Sequence, residues 1–292
     1  MNKLKLAMMQ YGLTDIRSEH EFWQVLSDKT KEAAKEGAQM LVFPEYVTAH
    51  LLNIHQPMTH EQACHYLDQL TFQYVDFFKK ASREYNIVIL GGTHICRERY
   101  GYVNKAYLFF PDGRVETQIK IHLTPEERTK WHLFRGNDLN VISTKWGKMA
   151  ILTCYDVEFP ELARAAAERG VELILCPSYT DTAFGYHRVW HCAQARAIEN
   201  QLFVALSGIV GALPEERPQV DQGYCRAGVF SPCDSPFVAN GEVAVGELNK
   251  DQLVIAELDF AQIKENRSSG AVSPFYDRRH TLYQTMTPNL IH

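Results

Sequence analysis

The chain contains 292 residues, of which 46% are hydrophobic and 22% are charged, and this globular composition excludes disorder as the main state. The formal net charge is -5 and no basic stripe is visible, so we expect no nucleic-acid partner. The longest apolar runs are short and interrupted by charge, and no signal-peptide core follows the first residues. The sequence therefore predicts neither a membrane span nor a secretory leader.

The cysteines are seven in number, widely spaced, and include no C-x-x-C pair. This pattern argues against a disulfide scaffold or a zinc ribbon, and it predicts a protein of the reducing cytoplasm. It leaves room for one thiol that is kept for reactivity. The seven residues are Cys64, Cys96, Cys154, Cys176, Cys192, Cys225 and Cys233.

The first third of the chain alternates apolar strands with amphipathic helices. Gly37 ends the first helix, and Thr59 opens the second with capping-box spacing to Gln62. The pattern predicts strands over residues 4–10, 40–43 and 87–90, and helices over residues 19–36 and 59–85.

The middle of the chain has the pattern of a β-hairpin. Its strands are predicted over residues 102–110 and 114–121, around a Pro111-Asp112-Gly113 turn. Residues 122–140 follow as a polar loop rich in charged and aromatic side chains. A loop of that length inside a compact domain is usually functional or disordered.

The second half returns to alternating strands and helices, and the tail from about residue 267 shows no periodicity. LKLAMMQY–helix–MLVFPE is mirrored by KMAILTCYD–helix–LILCPS, and no linker separates the halves. We therefore expect a single domain over residues 1–292, with two packed β-sheets, helices outside them, and binding sites beyond the strand ends. Strands are predicted over residues 148–153, 173–176, 202–207, 227–230, 242–245 and 253–258, and helices over residues 158–169 and 183–199.

Three reactive side chains each follow a short apolar strand. Glu45 follows LVFP, Lys120 ends the second hairpin strand, and Cys154 follows AILT. A carboxylate can take the proton of a thiol, and a lysine can hold the oxyanion that forms when a thiolate attacks a carbonyl carbon. Together these groups could hydrolyse an amide through a thioester. Cys176 also ends a predicted strand, but it has no base in an equivalent segment, so we expect it to be a packing residue.

The segments VFPEY, KIHLTPEER and TCYDVEFPE resemble the three signature blocks of the nitrilase (carbon–nitrogen hydrolase) superfamily. PELARAAAERGVELILCPS and ARAIENQLFVALS are also typical of it. The resemblance extends roughly over residues 4–258. It implies an α/β fold, specifically an α-β-β-α four-layer sandwich, and catalysis without a cofactor.

The resemblance also assigns roles to individual residues. It implies that Glu45 is the base, Lys120 an oxyanion donor, Cys154 the nucleophile, and the backbone N–H of Tyr155 the second oxyanion donor. Members often have a further glutamate after the lysine. Glu127 matches this position best, with Glu126 as its neighbouring rival.

The residues after the nucleophile indicate the substrate branch. Cys154-Tyr155-Asp156 differs from the Cys-Trp-Glu of true nitrilases and is more similar to the amidase and carbamoylase branches. We expect an amidase that acts on a small carboxamide or N-carbamoyl compound. The alternatives are a nitrilase with the same residues and a non-enzymatic interaction protein on this fold.

Four side chains are candidates for substrate binding, namely Trp131, Tyr179, Phe184 and His187, and Arg188 is the alternative to His187 on the same helix. Aromatic packing would equally explain Trp131, Tyr179 and Phe184, and an ordinary position on the helix surface would explain His187 and Arg188. His187 and His191 have the i, i+4 spacing of some metal sites, but no glutamate follows His187 and no third ligand is evident, so we expect no metal. The resemblance implies a homodimer or higher homo-oligomer. The helix over residues 183–199 and the tail are candidate contact regions.

Overall fold

The computed structural model describes residues 3–286 as thirteen strands, eight α-helices and two 3-10 segments. The strands are β1 (Lys3–Gly12), β2 (Met40–Val42), β3 (Val88–Glu98), β4 (Gly101–Phe109), β5 (Val115–Ile119), β6 (Ile142–Ser143), β7 (Lys148–Ile151), β8 (Val171–Ser178), β9 (Phe203–Ala212), β10 (Gln222–Gly223), β11 (Gly228–Phe230), β12 (Glu242–Val245) and β13 (Gln252–Asp259). The helices are α1 (Glu19–Lys35), α2 (His60–Gln69), α3 (Thr71–Tyr85), α4 (Pro125–Thr129), α5 (Pro160–Glu168), α6 (Ala183–Asn200), α7 (Phe260–Ser269) and α8 (His280–Met286), and the 3-10 segments are Val47–Ile54 and Cys154–Glu158.

The strands form two halves of one continuous ladder, in the order β5-β4-β3-β2-β1-β9-β8-β7-β6. The central strands β3, β2, β1, β9, β8 and β7 run parallel, and the hairpin of β4 and β5 extends one half with antiparallel pairing. The halves meet where β1 pairs with β9 over a short stretch at the ends of both strands. Antiparallel β13 covers the remaining length of β1, and β11 pairs with β9.

Strand β1 shows why the architecture has four layers. Its alternate side chains enter different apolar clusters, with Leu6 and Met8 on one face and Ala7 and Met9 on the other. The first cluster lies between the two halves of the sheet, and the second lies under α1, α2 and α3. A third cluster lies under α5 and α6. Because both faces of each half are buried, the strands are continuously apolar, and the predicted α-β-β-α sandwich is confirmed.

The mirrored segments are both strand–helix–strand units. The unit β1-α1-β2 has parallel strands, and so does β7-α5-β8. Parallel strands place their carboxyl ends at the same edge of a sheet. The residues that follow β2 and those that follow β7 therefore both lie at that edge. No helix within residues 3–286 combines the length and the apolar character needed to cross a membrane.

Three of the differences from the predicted elements concern helices. The helix predicted over residues 59–85 is two helices, because the Leu70 N–H donates to Leu67 O and tightens the turn between them. The polar loop contains α4, which a capping box begins at Thr124. The tail contains α7, whose first turn is capped by Asp259, and α8, while residues 287–292 of the tail lie outside the described residues.

Candidate active site

Three buried side chains converge beyond the ends of β2, β5 and β7. Lys120 directly follows β5, and Glu45 and Cys154 each lie shortly after their strands. Lys120 Nζ lies 2.8 Å from Glu45 Oε1. The Cys154 thiol lies close enough to both groups that their charges shift its pKa, with Glu45 raising it and Lys120 lowering it. The fold therefore brings together the carboxylate, the ammonium group and the thiol that the sequence analysis singled out.

The backbone before Glu45 is fixed by close packing. The carbonyl oxygen of Pro44 lies against Gly92, whose φ is +71°, and a Cβ at Gly92 would clash with that oxygen. Ser207 Oγ donates to the carbonyl oxygen of Phe43 at 3.2 Å. These contacts anchor the short turn that presents Glu45.

Cys154 has a strained backbone conformation. Its φ is +48°, in the left-handed region that residues with a side chain rarely adopt. The turn is closed by a hydrogen bond from Asp156 N to Thr153 O at 2.9 Å, at the start of the 3-10 segment. Backbone strain of this kind is concentrated at functional sites, because the surrounding structure must hold it in place.

The backbone of Tyr179, directly after β8, connects the base and the thiol. Its N–H donates to Glu45 Oε2 at 3.0 Å, and its carbonyl oxygen accepts a hydrogen bond from Cys154 Sγ at 3.4 Å. Because one peptide segment contacts both groups, their relative position depends on the end of β8.

A second carboxylate completes the cluster around the lysine. Lys120 Nζ lies 2.8 Å from Glu127 Oε2 and 3.0 Å from Oε1. Asn104 Nδ2 donates to both carboxylates, at 2.8 Å to Glu45 Oε1 and 2.9 Å to Glu127 Oε1. Tyr46 donates its hydroxyl proton to Glu127 Oε1 at 2.7 Å. One cation is thus shared by two carboxylates, and neutral donors bind the same oxygen atoms.

The capping box of α4 determines which of the two candidate glutamates reaches the lysine. Thr124 Oγ1 accepts from Glu127 N at 3.2 Å, and Glu127 Oε2 accepts from Thr124 N at 2.8 Å. Glu127 is therefore turned into the cluster. Glu126 is exposed and pairs with Lys130 at 3.1 Å.

The pKa values in the cluster shift in different directions. Burial raises the pKa of Glu45, and Lys120 offsets only part of that shift. For Glu127 burial acts in the same sense, but the charge of Lys120 outweighs it and the pKa lies below its usual value. Burial acts to lower the pKa of Lys120, but the two carboxylates hold it well above the usual range. Burial, followed by the Glu45 charge, raises the pKa of the Cys154 thiol, so this thiol is protonated at neutral pH.

Asp156 connects the lysine segment to the nucleophile turn. Its Oδ2 accepts from Ile121 N at 3.3 Å, and its Oδ1 accepts from His122 N at 2.7 Å. The Nδ1 of His122 lies 3.0 Å from the same Oδ1. A buried carboxylate two residues after Cys154 thereby holds the two residues that follow Lys120.

The cluster opens into a cavity of about 870 Å³. Its walls come from α4 and the residues after it, from residues 179–181, from the start of α6, and from the loop over residues 217–222. A volume of this size suits a small molecule. Both oxyanion candidates line it, since Lys120 and Tyr155 are part of its wall.

Two of the four predicted substrate-binding residues line the cavity. Trp131 stacks on Tyr46 with ring centroids 5.4 Å apart, and Tyr179 meets the same ring edge-on at 6.1 Å. The prediction for Phe184 and His187 needs correction, because neither lines this cavity. Phe184 is 82% exposed on the first turn of α6, and His187 is also exposed.

The residues of α6 that do line the cavity are Gly185, Arg188 and Val189. A helix presents neighbouring positions to different sides, so the choice among them depends on how α6 is rotated, which sequence spacing did not reveal.

The sequence analysis missed Asn104 and Tyr46 as members of the cluster, and Asp156 as a connecting residue. Asn104 carried a signal, because it is a polar residue within the largely apolar strand β4. Tyr46 and Asp156 adjoin predicted site residues, but nothing in the pattern indicated where their side chains would point.

A metal site is not formed by the described part of the chain. Within residues 3–286 no group of three His, Cys, Asp or Glu side chains could hold a metal ion. His187 and His191 stack on each other, with ring centroids 5.8 Å apart.

Comparisons with known proteins show the family of this chain. The carbon-nitrogen hydrolase family model matches residues 5–268. The probable hydrolase YhcX of Bacillus subtilis is 36% identical over 96% of this chain, which spans 54% of that relative's length. The omega-amidase NIT2 of Xenopus tropicalis is 25% identical over 97% of this chain and 98% of its own length.

Among solved structures, Nit3 of Saccharomyces cerevisiae, a member of the nitrilase superfamily, is similar with a TM-score of 0.77. It is 25% identical, and the match covers 95% of this chain and 96% of that one. Since the family model also spans most of the sequence, the chain belongs to the carbon–nitrogen hydrolase family, within the nitrilase superfamily.

Proposed function

We propose that this protein is a cysteine-dependent amidohydrolase. It cleaves a non-peptide C–N bond of a small carboxamide or N-carbamoyl compound through a thioester, and it releases ammonia or an amine. The observation that carries the proposal is the buried contact between Lys120 and Glu45 beside the thiol of Cys154, in the wall of the cavity.

Acylation begins with proton transfer from Cys154 to Glu45. The resting thiol is protonated because its pKa is raised, so it needs a base at hydrogen-bonding distance. Glu45 is the neighbouring carboxylate whose charge acts most strongly on this thiol, and its raised pKa makes it a better proton acceptor than an ordinary carboxylate. The thiolate then attacks the substrate carbonyl carbon, and a C–S bond forms.

The negative charge moves to the substrate oxygen in the tetrahedral intermediate. Lys120 Nζ and the backbone N–H of Tyr155 would stabilise this oxyanion, and both residues line the cavity. When the intermediate collapses, the C–N bond breaks and Glu45 returns the proton to the leaving nitrogen. The acyl group remains on Cys154 as a thioester.

Deacylation repeats these steps with water. Glu45 takes a proton from a water molecule, and the resulting hydroxide attacks the thioester carbon. Collapse of the second intermediate breaks the C–S bond, the carboxylic or carbamic acid leaves, and Cys154 recovers its proton from Glu45. Each half-reaction leaves Glu45 ionised, so the cycle needs no cofactor.

Glu127 acts through Lys120. Its lowered pKa keeps it ionised, and its two contacts with Lys120 Nζ hold the ammonium group in place. Without Glu127, the ammonium group of Lys120 would be held by Glu45 alone and would shift away from the position that binds the oxyanion. The amidase activity named for the Xenopus relative supports an amide as substrate.

The experiment that tests the proposal is a screen of small amides and N-carbamoyl compounds for release of ammonia or amine. Cys154→Ala should abolish turnover of every substrate while the circular dichroism spectrum stays that of the wild type. Cys233→Ala is the matched control, because Cys233 is an exposed thiol outside the cavity, and it should retain turnover. Turnover by Cys154→Ala would contradict the proposal.

The nitrilase alternative uses the same residues, so only the preferred substrate distinguishes it from an amidase. The wild type should hydrolyse an aliphatic amide faster than the nitrile with the same carbon chain. Faster turnover of the nitrile would favour the alternative. The non-enzymatic alternative predicts turnover of neither compound, and a Cys154 thiol no more reactive towards iodoacetamide than the other cysteines.

We also propose that the protein is one domain that forms a homodimer in the cytoplasm. The exposed apolar side chains of Phe184 and Ile198 on α6, and of Val272 and Tyr276 in the C-terminal segment, support a contact surface there. The seven unpaired thiols support a reducing compartment. Light scattering should return twice the mass of one chain, and the mass of a single chain would contradict the proposed dimer.

A further inference from the structure

A second cavity, of about 510 Å³, lies at the edge of the sheet opposite to the active site. Its walls come from the turn between β6 and β7, from the residues around the start of β8, from α7 and from Tyr276. Cys154 and Tyr179 follow the other ends of β7 and β8. The eight residues of β8 span about 25 Å, so a small molecule in the second cavity is out of reach of the Cys154 thiol.

The second cavity is basic, although the chain has a formal net charge of -5. Its cationic side chains are Lys148 at the start of β7 and Lys264 and Arg267 on α7, and its only carboxylate is that of Glu172. Lys264 and Arg267 are three positions apart and share a face of α7. Within the described part of the chain, none of the three cations forms an ion pair with a carboxylate. A concave surface with an excess of positive charge attracts anions.

Two glycines make room for charged groups in the wall of the second cavity. The side chain of Lys148 lies across Gly170, whose φ is +86°, and its Nζ is 3.6 Å from the position that a Cβ would occupy there. A Cβ at Gly147 would clash with Oε2 of Glu172, so this carboxylate lies against the turn between β6 and β7. Lys148 Nζ donates to the carbonyl oxygen of Arg169 at 3.2 Å. An ammonium group has three N–H donors, so Lys148 is held by a neutral partner and retains two donors.

Arg267 is held in a fixed orientation by neutral groups. Its Nε donates to the carbonyl oxygen of Gln201 at 3.1 Å, and its Nη2 donates to that of Asn200 at 3.2 Å. Its guanidinium carbon lies 4.7 Å from the centroid of the Phe275 ring. The third nitrogen, Nη1, makes no hydrogen bond within residues 3–286 and remains accessible to solvent. The guanidinium is therefore positioned in advance, with one nitrogen available to a ligand.

These donors match a phosphate group better than a carboxylate. A carboxylate is typically bound by two nitrogens of one guanidinium, and Arg267 has only Nη1 free. A phosphate carries its oxygens in a tetrahedron, and ammonium groups bind it as point charges. The three cations exceed the single carboxylate of Glu172 by two charges, which is about the charge of a phosphate monoester at pH 7.

We propose that the second cavity binds a phosphate group, either inorganic phosphate or the phosphate end of a small soluble ester, through Lys148, Lys264 and Arg267. The bound anion would connect α7 to the start of β7 and would stabilise the folded chain. No residue of the active-site cavity takes part, so this site is independent of the proposed function. None of the three cations belongs to the apolar surface proposed above as the dimer contact.

The test measures binding of inorganic phosphate and of glycerol 3-phosphate to the purified protein by isothermal titration calorimetry, at constant ionic strength in chloride. Each ligand should bind saturably at one site per chain, and acetate, a planar monoanion, should bind roughly tenfold more weakly. Phosphate should not slow alkylation of Cys154 by iodoacetamide. A lack of saturable phosphate binding, or equally tight binding of acetate, overturns the proposal. Binding that protects Cys154 in proportion to occupancy would place the phosphate in the active-site cavity and also overturns it.

Two variants test the position of the site. Lys148→Met and Lys264→Met each change an exposed side chain and should keep the circular dichroism spectrum of the wild type. Each should weaken phosphate binding by roughly tenfold, as expected for loss of one charged hydrogen bond. Lys31→Met is the matched control, because Lys31 is an exposed lysine on α1 that lines neither cavity, and it should bind phosphate as the wild type does. Unchanged affinity in both cavity variants, or an equal loss in Lys31→Met, overturns the site.

Discussion

Glu45 and Glu127 approach the same ammonium group, yet their pKa values shift in opposite directions. Burial dominates for Glu45 and raises its pKa. Burial acts on Glu127 as well, but Lys120 and several hydrogen bonds outweigh it and lower the pKa. Two carboxylates with separated pKa values can take different roles, so Glu45 is suited to exchange a proton and Glu127 to stay charged.

The first prediction concerns the acidic limb of the pH profile. Glu45 must be ionised to accept a proton, so kcat/KM falls as pH drops through its raised pKa. The charge of Glu127 is one cause of that raised value. Glu127→Gln removes this charge and should move the acidic limb to lower pH, while kcat falls because Lys120 loses its partner.

Glu126→Gln is the matched control for this profile. It changes the neighbouring residue, which is exposed and pairs with Lys130, and should leave the limb in place. A limb that stays in place in Glu127→Gln, or moves equally in both variants, would contradict the assignment of the base to Glu45.

The second prediction concerns stability. Lys120→Met leaves two buried carboxylates without their shared cation. Removing one partner of a buried ion pair typically destabilises by about 3–5 kcal/mol. We expect a loss of this size in the free energy of unfolding measured with urea, together with loss of activity.

Lys130→Met tests whether that loss is specific. The Lys130 side chain is exposed, and its ion pair with Glu126 lies at the surface. Its removal should change stability by less than about 1 kcal/mol. Equal losses in the two variants would show that the buried cluster contributes no more than a surface pair.

Much of the fold could be predicted because its signals are local. The apolar run of β1, the glycine after α1 and the turn between β4 and β5 each have a short-range physical cause, and each element lies near its predicted position. The break at Leu70 carried no such signal in the sequence, since no glycine or proline is present there. It is a backbone turn closed by the hydrogen bond from Leu70 N to Leu67 O.

The sequence indicated the reactive side chains of the site, but it did not indicate the hydrogen bonds that join them. The positions of Glu45, Lys120 and Cys154 after apolar strands indicated a shared edge of the sheet. The capping box of Thr124 and Glu127, which turns Glu127 into the cluster, was not identified from the sequence. The bridge made by Asn104 depends on a side chain from β4 meeting two carboxylates from distant segments. The outward position of Phe184 depends on the rotation of α6, which periodicity alone did not determine.

The third prediction concerns Asn104. Asn104→Asp replaces a donor to both carboxylates with a third carboxylate in the same buried cluster. Like charges disfavour ionisation, so the pKa of Glu45 should rise further. The acidic limb of kcat/KM should therefore move to higher pH, opposite to its movement in Glu127→Gln. A limb that moved to lower pH would contradict the bridging role.

The central claim is that the acyl group passes through Cys154, and partitioning between water and hydroxylamine tests it most directly. Two amides with the same acyl group and different leaving amines would be hydrolysed in the presence of hydroxylamine. Because both form the same thioester, the account predicts one common ratio of hydroxamate to acid, and no hydroxamate from Cys154→Ala. A ratio that changes with the leaving amine, or hydroxamate formed by Cys154→Ala, would contradict it.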